Sequence, residues 1–298
     1  MSIAESPVKP EGTPLKVVYK SQTKPTWCPG CGDYGVLAAL EMALKGLKVP
    51  PQELVLVSGI GCSSNLPHFF RSYGFHGLHG RAIPVASGIK LANPKLTVVA
   101  TGGDGDGYGI GVGHSLHAMR RNLDLTYIVM NNEIYGLTTG QASPTSVLGH
   151  KTKSTPLVGV IEAPVNPLAL ALGAGATFIA RAFSGDPRQM ADLIAQGIRH
   201  RGFALVDVFS PCVTYNHLNT FDFFRSRVYK LEAAGHDPTD PVEAFRRTLE
   251  WGEKIPTGVF YRAERATYEE LEPALKDGPL VHQRAGFPEG TDPFAELY

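Results

Sequence analysis

Four short runs, Leu54 to Val57, Lys95 to Thr101 (KLTVVAT), Leu125 to Met130 (LTYIVM) and Phe203 to Phe209 (FALVDVF), each give way at once to a turn rich in glycine or small polar residues. Apolar, β-branched runs of this length are strands, and a continuously apolar strand is buried on both faces. Helical periods lie between them. Leu37, Leu40, Leu44 and Leu47 recur at helical spacing behind Asp33, a potential N-cap, and that helix ends between Gly46 and Pro50. Gly109 to Arg121 reads as a second helix, and Pro187 to His200 as a third, opened by Asp186 and Pro187. Phe178 to Arg181 adds another strand. Parallel neighbours need crossover connections, so this alternation predicts an α/β fold: a mostly parallel sheet with helices on both faces.

The chain of 298 residues is long enough for one large α/β domain plus an extension. Residues 1–25, rich in Pro, Lys, Ser and Thr and without apolar periodicity, read as an N-terminal arm outside the core. Residues 26–215 carry the strand–helix alternation. From 216 to 298 the segments are aromatic, charged and punctuated by proline (NTFDFFRSRVY, EKIPTGVFY), with one helical candidate from Pro241 to Trp251. This part reads as a C-terminal extension laid over a surface, its aromatics serving as packing anchors. Basic and acidic residues number 28 each, so there is no electrostatic footprint of a nucleic-acid or membrane-surface binder. The N-terminus has no basic stretch leading into an apolar one, and no apolar run is long enough to span a bilayer. The expectation is a cytoplasmic protein that contacts neither nucleic acid nor membrane.

Ligands of open α/β sheets bind beyond the carboxyl ends of the strands. Past Val57 comes S-G-I-G-Cys62; past Thr101, G-G-Asp104-G-Asp106-G; past Met130, Asn131-Asn132; past Phe209, S-P-Cys212. One edge of the sheet thus receives two thiols, a carboxylate pair and an amide pair. In TGGDGDGYG the glycines leave main-chain N–H groups open to a phosphate, and the following helix start favours an anion. No G-K-[ST] follows, and the spacing of a dinucleotide loop is not met. Asp104 instead offers a hard oxygen ligand, and Asn132, one helix and one strand further on, offers a second; the two suit a magnesium ion bridging to a pyrophosphate. Taken alone, the same loop reads equally well as a tight turn with a solvated carboxylate.

The four cysteines, Cys28, Cys31, Cys62 and Cys212, are too sparse for a disulfide scaffold, and four thiolates are the complement of one metal site. A [4Fe–4S] cluster takes such a set. A structural zinc takes it too, although zinc usually gathers two close pairs and only Cys28 and Cys31 are close here.

Gly103-Asp104-Gly105 followed by Asn131-Asn132 resembles the diphosphate motif of thiamine-diphosphate enzymes. The segments WCPGCG, GCS and SPC resemble the cluster-binding segments of 2-oxoacid:ferredoxin oxidoreductase β subunits, and the likeness runs from about Trp27 to Tyr215 through GIGCSSNLPHFF, YGFHGLHGRA and the long segment from Gly113 to Thr145. The resemblance implies the diphosphate-binding domain of the thiamine-diphosphate fold. It implies thiamine diphosphate and Mg2+, with the Asp104 and Asn132 side chains and the Ile134 carbonyl on the metal. Ile60, Gly61, Cys62, Ser63, Gly103, Gly105, Asp106, Gly136 and Leu137 would touch the cofactor, with His79 and Thr138 at the reacting centre. It further implies Cys28, Cys31, Cys62 and Cys212 on a [4Fe–4S] cluster. The reaction implied is oxidative decarboxylation of a 2-oxoacid with coenzyme A, with electrons passing to ferredoxin. His68, His76, His114 and His117 gain no such support and read as structural.

Thiamine enzymes supply a glutamate to the pyrimidine ring from a second domain, for which this chain has no room. The resemblance therefore implies an α (or fused γα) partner subunit and a chain inactive alone. In Tyr135-Gly-Leu-Thr138-Thr139-Gly-Gln141, family members acting on 2-oxoglutarate often resemble L-T-K-G-Q and pyruvate-preferring ones L-T-G-G-Q. Thr139 matches neither, which leans slightly against a strict 2-oxoglutarate enzyme unless Arg81 or a partner residue supplies the cation. Two rival readings are a non-oxidative thiamine decarboxylase or synthase, which has no use for four thiolates, and a zinc-stapled binding module.

Overall fold

The structure, a computed structural model, describes residues 18–284, 286, 290–292 and 294–295, so most of the expected N-terminal arm lies outside the described residues. Its strands are β1 (Leu54–Ser58), β2 (Tyr73–His76), β3 (Thr97–Gly103), β4 (Thr126–Asn131), β5 (Phe178–Phe183), β6 (Ala204–Phe209), β7 (Val228–Lys230) and β8 (Ile255–Arg262). They form one sheet in the order β2-β1-β3-β4-β6-β5-β8-β7. The first six in that order run parallel, β8 joins β5 antiparallel, and β7 pairs parallel with β8.

The helices are α1 (Asp33–Leu47), α2 (Ala82–Ala92), α3 (Val112–Arg121), α4 (Pro167–Gly173) and α5 (Pro187–Arg199). Strand residues alternate between two cores. Leu54 and Leu56 of β1, Val99 of β3 and Ile128 of β4 meet Leu40 and Leu44 of α1 and Leu193 and Ile194 of α5. Their neighbours Val55, Val57, Val98 and Val129 meet Ile83 of α2, Met119 of α3 and Leu168 of α4. Each such side chain, fully buried, contributes about 1.5–3 kcal/mol, so strands apolar on both faces are what a sheet covered twice requires.

Several elements depart from the expectation. The helix predicted from Gly109 starts at Val112, because Gly105–Ile110 forms a widened turn with Gly109 at φ −87°, ψ −108°. Widened turns of this kind collect at functional sites. No periodic signal announces α2, whose Pro84 is tolerated only because it falls in the first turn. Nor does one announce β2, an exposed edge strand of four residues, too short to carry a period. Tyr19, assigned to the arm, is fully buried, and its hydroxyl reaches the carbonyls of Leu44 and Val49. A lone aromatic carries no periodic signal.

The segment after residue 216 does more than cover a surface, since its β8 lengthens the sheet itself. Its helices α6 (Phe221–Arg225) and α7 (Pro241–Thr248) flank that strand, and Phe224 stacks on Phe209 at 4.3 Å between ring centroids. Among the described residues no helix is long and apolar enough to cross a membrane.

Candidate active site

Register delivers the site. Gly103 is paired with Met130 across β3 and β4, so the residues that follow, Asp104 and Asn131-Asn132, emerge side by side from the carboxyl edge. Over this edge lies a cavity of about 470 Å3. From the turn after β1 it receives Ile60, Gly61, Cys62 and Ser63; from the loop before α2, His79; from the turn after β3, Gly103, Asp104, Gly105 and Asp106; and from the turn after β4, Asn132, Ile134, Gly136, Leu137 and Thr138. Every residue expected at the cofactor or the reacting centre borders this cavity. A larger groove of about 830 Å3 lies at the opposite rim and is lined by Arg199, Arg201, Arg262 and Arg265. Three of these are engaged by the protein: Arg201 with Glu270, Arg262 with Gln196, and Arg265 with the carbonyls of Met119 and Gly175. None of the expected residues reaches it.

Asp104 is 1 % exposed, and its Oδ2 accepts the Thr145 hydroxyl at 2.6 Å, which also stands 3.0 Å from Asn131 Oδ1. Burial raises its pKa, while the Ser143 and Thr145 hydroxyls and the Asn132 amide pull it back. Asn132 Oδ1 accepts the Ile134 amide at 3.1 Å and closes a tight turn, in which Glu133 takes φ +57°. The Asn216 amide group donates to the Asn132 carbonyl at 3.0 Å. From below, Asn131 Nδ2 donates to Asp207 at 3.3 Å, an aspartate that also receives Tyr108 and the Arg181 guanidinium, all buried between β4, β5 and β6. Burial and the neighbouring Asp104 push the Glu133 carboxyl well up.

Asp106 has a different task. Its Oδ1 accepts the amides of Ile60 at 3.0 Å and Gly80 at 2.7 Å and stands 3.1 Å from His79 Nδ1. The carboxylate sits where side chains at its neighbours would be: a Cβ on Gly59 would come within 2.2 Å of it. Asp106 therefore borders the cavity as a strut between two loops. Burial raises its pKa, opposed by those two amides and by His79. Nδ1 of His79 faces two acceptors, Asp106 and the Ile60 carbonyl at 3.2 Å, so that nitrogen carries the proton and Nε2 is left as the acceptor. Gly105 is held against Tyr135, whose ring a Cβ there would meet at 2.1 Å and whose hydroxyl donates to the Gly105 carbonyl at 3.2 Å. Thr138, expected at the reacting centre, gives its hydroxyl to Gln141 Oε1, and Gln141 Nε2 returns a bond to the Thr138 carbonyl at 2.8 Å.

The cysteine segments are drawn together by main-chain bonds. The Gly32 amide donates to the Pro211 carbonyl at 3.2 Å, and Trp27 Nε1 donates to the Cys62 carbonyl at 2.6 Å. The Sγ atoms of Cys62 and Cys212 flank Gly136, 3.5 and 3.8 Å from where its Cβ would be, so both thiols back onto the cavity wall. All four cysteines are free. Burial and the nearby Asp33 raise the Cys31 thiol far above its ordinary range, and the same causes push Cys62 up to about 11. Asp33, fully buried with the Ser210 hydroxyl at 2.7 Å, is itself pushed up to about 6 by burial. Among the described residues no group of three or more His, Cys, Asp or Glu side chains is close enough together to hold a metal ion.

Thr145, Tyr135, Asn216 and the Arg181–Asp207 pair went unrecognised in the sequence. All act through long-range contacts that no local pattern marks.

Residues 19–208 match the family model described as thiamine pyrophosphate enzyme, C-terminal TPP binding domain, and residues 212–277 match the model for the C-terminal part of the pyruvate ferredoxin oxidoreductase beta subunit. The chain is 48% identical over 276 residues to the 2-oxoacid:ferredoxin oxidoreductase subunit beta of Saccharolobus solfataricus, covering 86% of this chain and 89% of that one. It is 45% identical over 207 residues to the 2-oxoglutarate oxidoreductase subunit KorB of Mycobacterium tuberculosis, covering 70% and 55% of the two. A solved structure of 2-oxoglutarate:ferredoxin oxidoreductase from Magnetococcus marinus, with 2-oxoglutarate, coenzyme A and succinyl-CoA bound, superposes with a TM-score of 0.84 at 42% identity, covering 90% of this chain and 91% of that one.

Proposed function

The chain belongs to the 2-oxoacid:ferredoxin oxidoreductase family as its beta subunit, and on that premise we propose that the cavity over β1, β3 and β4 takes the magnesium-bound diphosphate of thiamine diphosphate while the four cysteines take a [4Fe–4S] cluster. The observation that carries this reading is that Asp104 and Asn132 border one cavity whose far wall, Gly136, is backed by the sulfurs of Cys62 and Cys212. The donor chemistry fits both groups. Asp104, Asn132 and the Ile134 carbonyl are hard oxygen donors of the kind magnesium accepts, and four free thiols without a disulfide are what a cluster accepts.

When bound, the thiazolium supplies a carbon nucleophile and electron sink for a 2-oxoacid, and the cluster a one-electron path onward to ferredoxin. This chain's residues do the rest by holding. The amides of the Gly103–Gly105 turn would face the diphosphate, and Ile60, Gly61 and Ser63 would border the cofactor from the turn after β1. His79, its Nδ1 proton committed to Asp106 and Ile60, can accept a proton at Nε2 beside the substrate. Thr138, tied to Gln141, shapes the lip instead of exchanging protons. The glutamate that activates the pyrimidine ring comes from the α (or fused γα) partner, so the functional unit is at least an αβ pair. In the reducing cytoplasm the four thiols stay available to iron.

The test is anaerobic co-purification with the partner subunit. About four iron and four labile sulfides per chain, with coenzyme A-dependent ferredoxin reduction by a 2-oxoacid, are expected. An iron-free complex that still consumes 2-oxoacid, or one zinc in place of iron, overturns the reading.

A further inference from the structure

Strand β4 leaves the ladder at Asn131, whose carbonyl still accepts the Ser210 amide at 2.9 Å. The next carbonyl, that of Asn132, has no strand residue opposite it and is met by a side chain instead: Asn216 Nδ2 donates to it at 3.0 Å. Asn216 is 1 % exposed, and every polar group it donates or accepts with is engaged at this junction. Its own amide donates to the Cys212 carbonyl at 3.2 Å. Its Oδ1 accepts the amides of Leu218 and Asn219, both at 3.0 Å, which folds residues 216–219 into a turn of their own. Nδ2 also lies 3.3 Å from Asn219 Oδ1.

Two more contacts join the same two segments. The Cys212 sulfur faces Gly136, 3.8 Å from where its Cβ would be, and the Tyr215 ring lies 3.3 Å from where a Cβ on Gly140 would be. The loop 212–219 therefore touches the turn 132–140 at its start, middle and end. One segment carries a thiol of the cluster set; the other carries the Asn132 side chain and the Ile134 carbonyl of the magnesium set. Of the three contacts, only that of Asn216 is a hydrogen bond, and it falls on the residue whose side chain would bind the metal.

We propose that Asn216 is a positioning residue through which cluster loading tightens the hold on magnesium-bound thiamine diphosphate. This rests on the reading above, in which the cavity takes the cofactor and the cysteines the cluster. With Cys212 held by iron, the start of the loop is fixed. The turn folded on Asn216 Oδ1 then fixes the direction of Nδ2, and Nδ2 fixes the Asn132 carbonyl, so the oxygens of Asn132 and Ile134 are set in place for the metal. Residues that orient metal ligands from behind are worth about 10–100-fold in metal affinity. A coupling of this kind is reciprocal, so the two groups stabilise one another's sites.

The test is the dissociation constant of thiamine diphosphate at fixed magnesium, measured by calorimetry on the assembled complex stripped of that cofactor. It is measured with the cluster present and with the cluster lost through Cys28→Ala, a change at an exposed cysteine outside both segments. Each form is made with and without Asn216→Asp, which keeps Oδ1 for the turn and removes the donor to Asn132. Cys28→Ala weakens binding about tenfold. Asn216→Asp weakens it at least as much while the cluster absorption stays unchanged, and adding Cys28→Ala to it causes no further loss. Wild type stripped of iron by a chelator and then reconstituted shows the same tenfold change without any substitution. A wild-type complex that holds no iron or binds no thiamine diphosphate overturns the reading of the site and this proposal with it. Equal affinity with and without the cluster in wild type, or a tenfold loss on Cys28→Ala that survives in Asn216→Asp, overturns the role of Asn216 alone.

Discussion

His79 Nδ1 stands 3.1 Å from Asp106 Oδ1, the same oxygen that accepts the amides of Ile60 and Gly80. One buried carboxylate thus ties together two loops at the cavity, and it fixes the histidine's tautomer as well. Asp106→Ala leaves two amides without their acceptor, at about 1–3 kcal/mol for each that stays buried. We expect the denaturant midpoint to fall correspondingly, whereas Asp106→Asn, which keeps an oxygen acceptor, loses much less stability. An alanine variant as stable as wild type contradicts the strut.

Asp104 depends on Thr145, whose hydroxyl meets it at 2.6 Å. Thr145→Val keeps the volume and removes that donor, so thiamine diphosphate and magnesium affinity should drop together by about tenfold, as expected for the loss of one hydrogen bond to a charged group. Asp104→Ala should lose more of both. In each variant the visible absorption of the cluster should persist. Unchanged cofactor retention in Asp104→Ala removes it from the metal-binding set.

Cys212 is buried against Gly136 on the cavity wall. In Cys212→Ser the anaerobic cluster absorption should diminish, and with it coenzyme A-dependent electron transfer, while thiamine diphosphate still binds. An unaltered spectrum excludes Cys212 as a ligand.

His200, at the opposite rim, is held neutral: burial first, then the Arg262 charge, lowers its pKa, and Nε2 lies 2.7 Å from Thr177 Oγ1. The unfolded chain therefore binds a proton that the folded chain refuses. Its contribution is fully present above the unfolded value near 6.5 and is lost as pH falls below it. A plot of Tm against pH should fall more steeply below about 6.5 for wild type than for His200→Gln, which keeps an N–H donor without a titrating ring. Parallel curves contradict this.

How much of the fold and the site is legible beforehand depends on distance along the chain. Gly103, Asp104 and Asn132 can be read because each closely follows an apolar run, and a strand end is a local pattern that also predicts its own position on the sheet. Val55 and Leu56 betray a twice-covered strand for the same reason. Thr145 lies 41 residues from Asp104, and Asn216 lies 84 from Asn132, so their bonds follow from tertiary packing alone. The strand β8 is hidden by its Pro256 and Gly258, which weaken a strand signal even though the strand is buried nearly throughout.

Whether one sheet edge holds a metal-bound diphosphate beside thiolate-ligated iron is measured most directly by anomalous diffraction at the iron edge, from crystals of the cofactor-loaded complex. An iron peak enclosed by Cys28, Cys31, Cys62 and Cys212 is expected, with diphosphate density against Asp104 and Asn132. Iron elsewhere or absent, or the diphosphate lodged in the arginine-lined groove at the opposite rim, would contradict it.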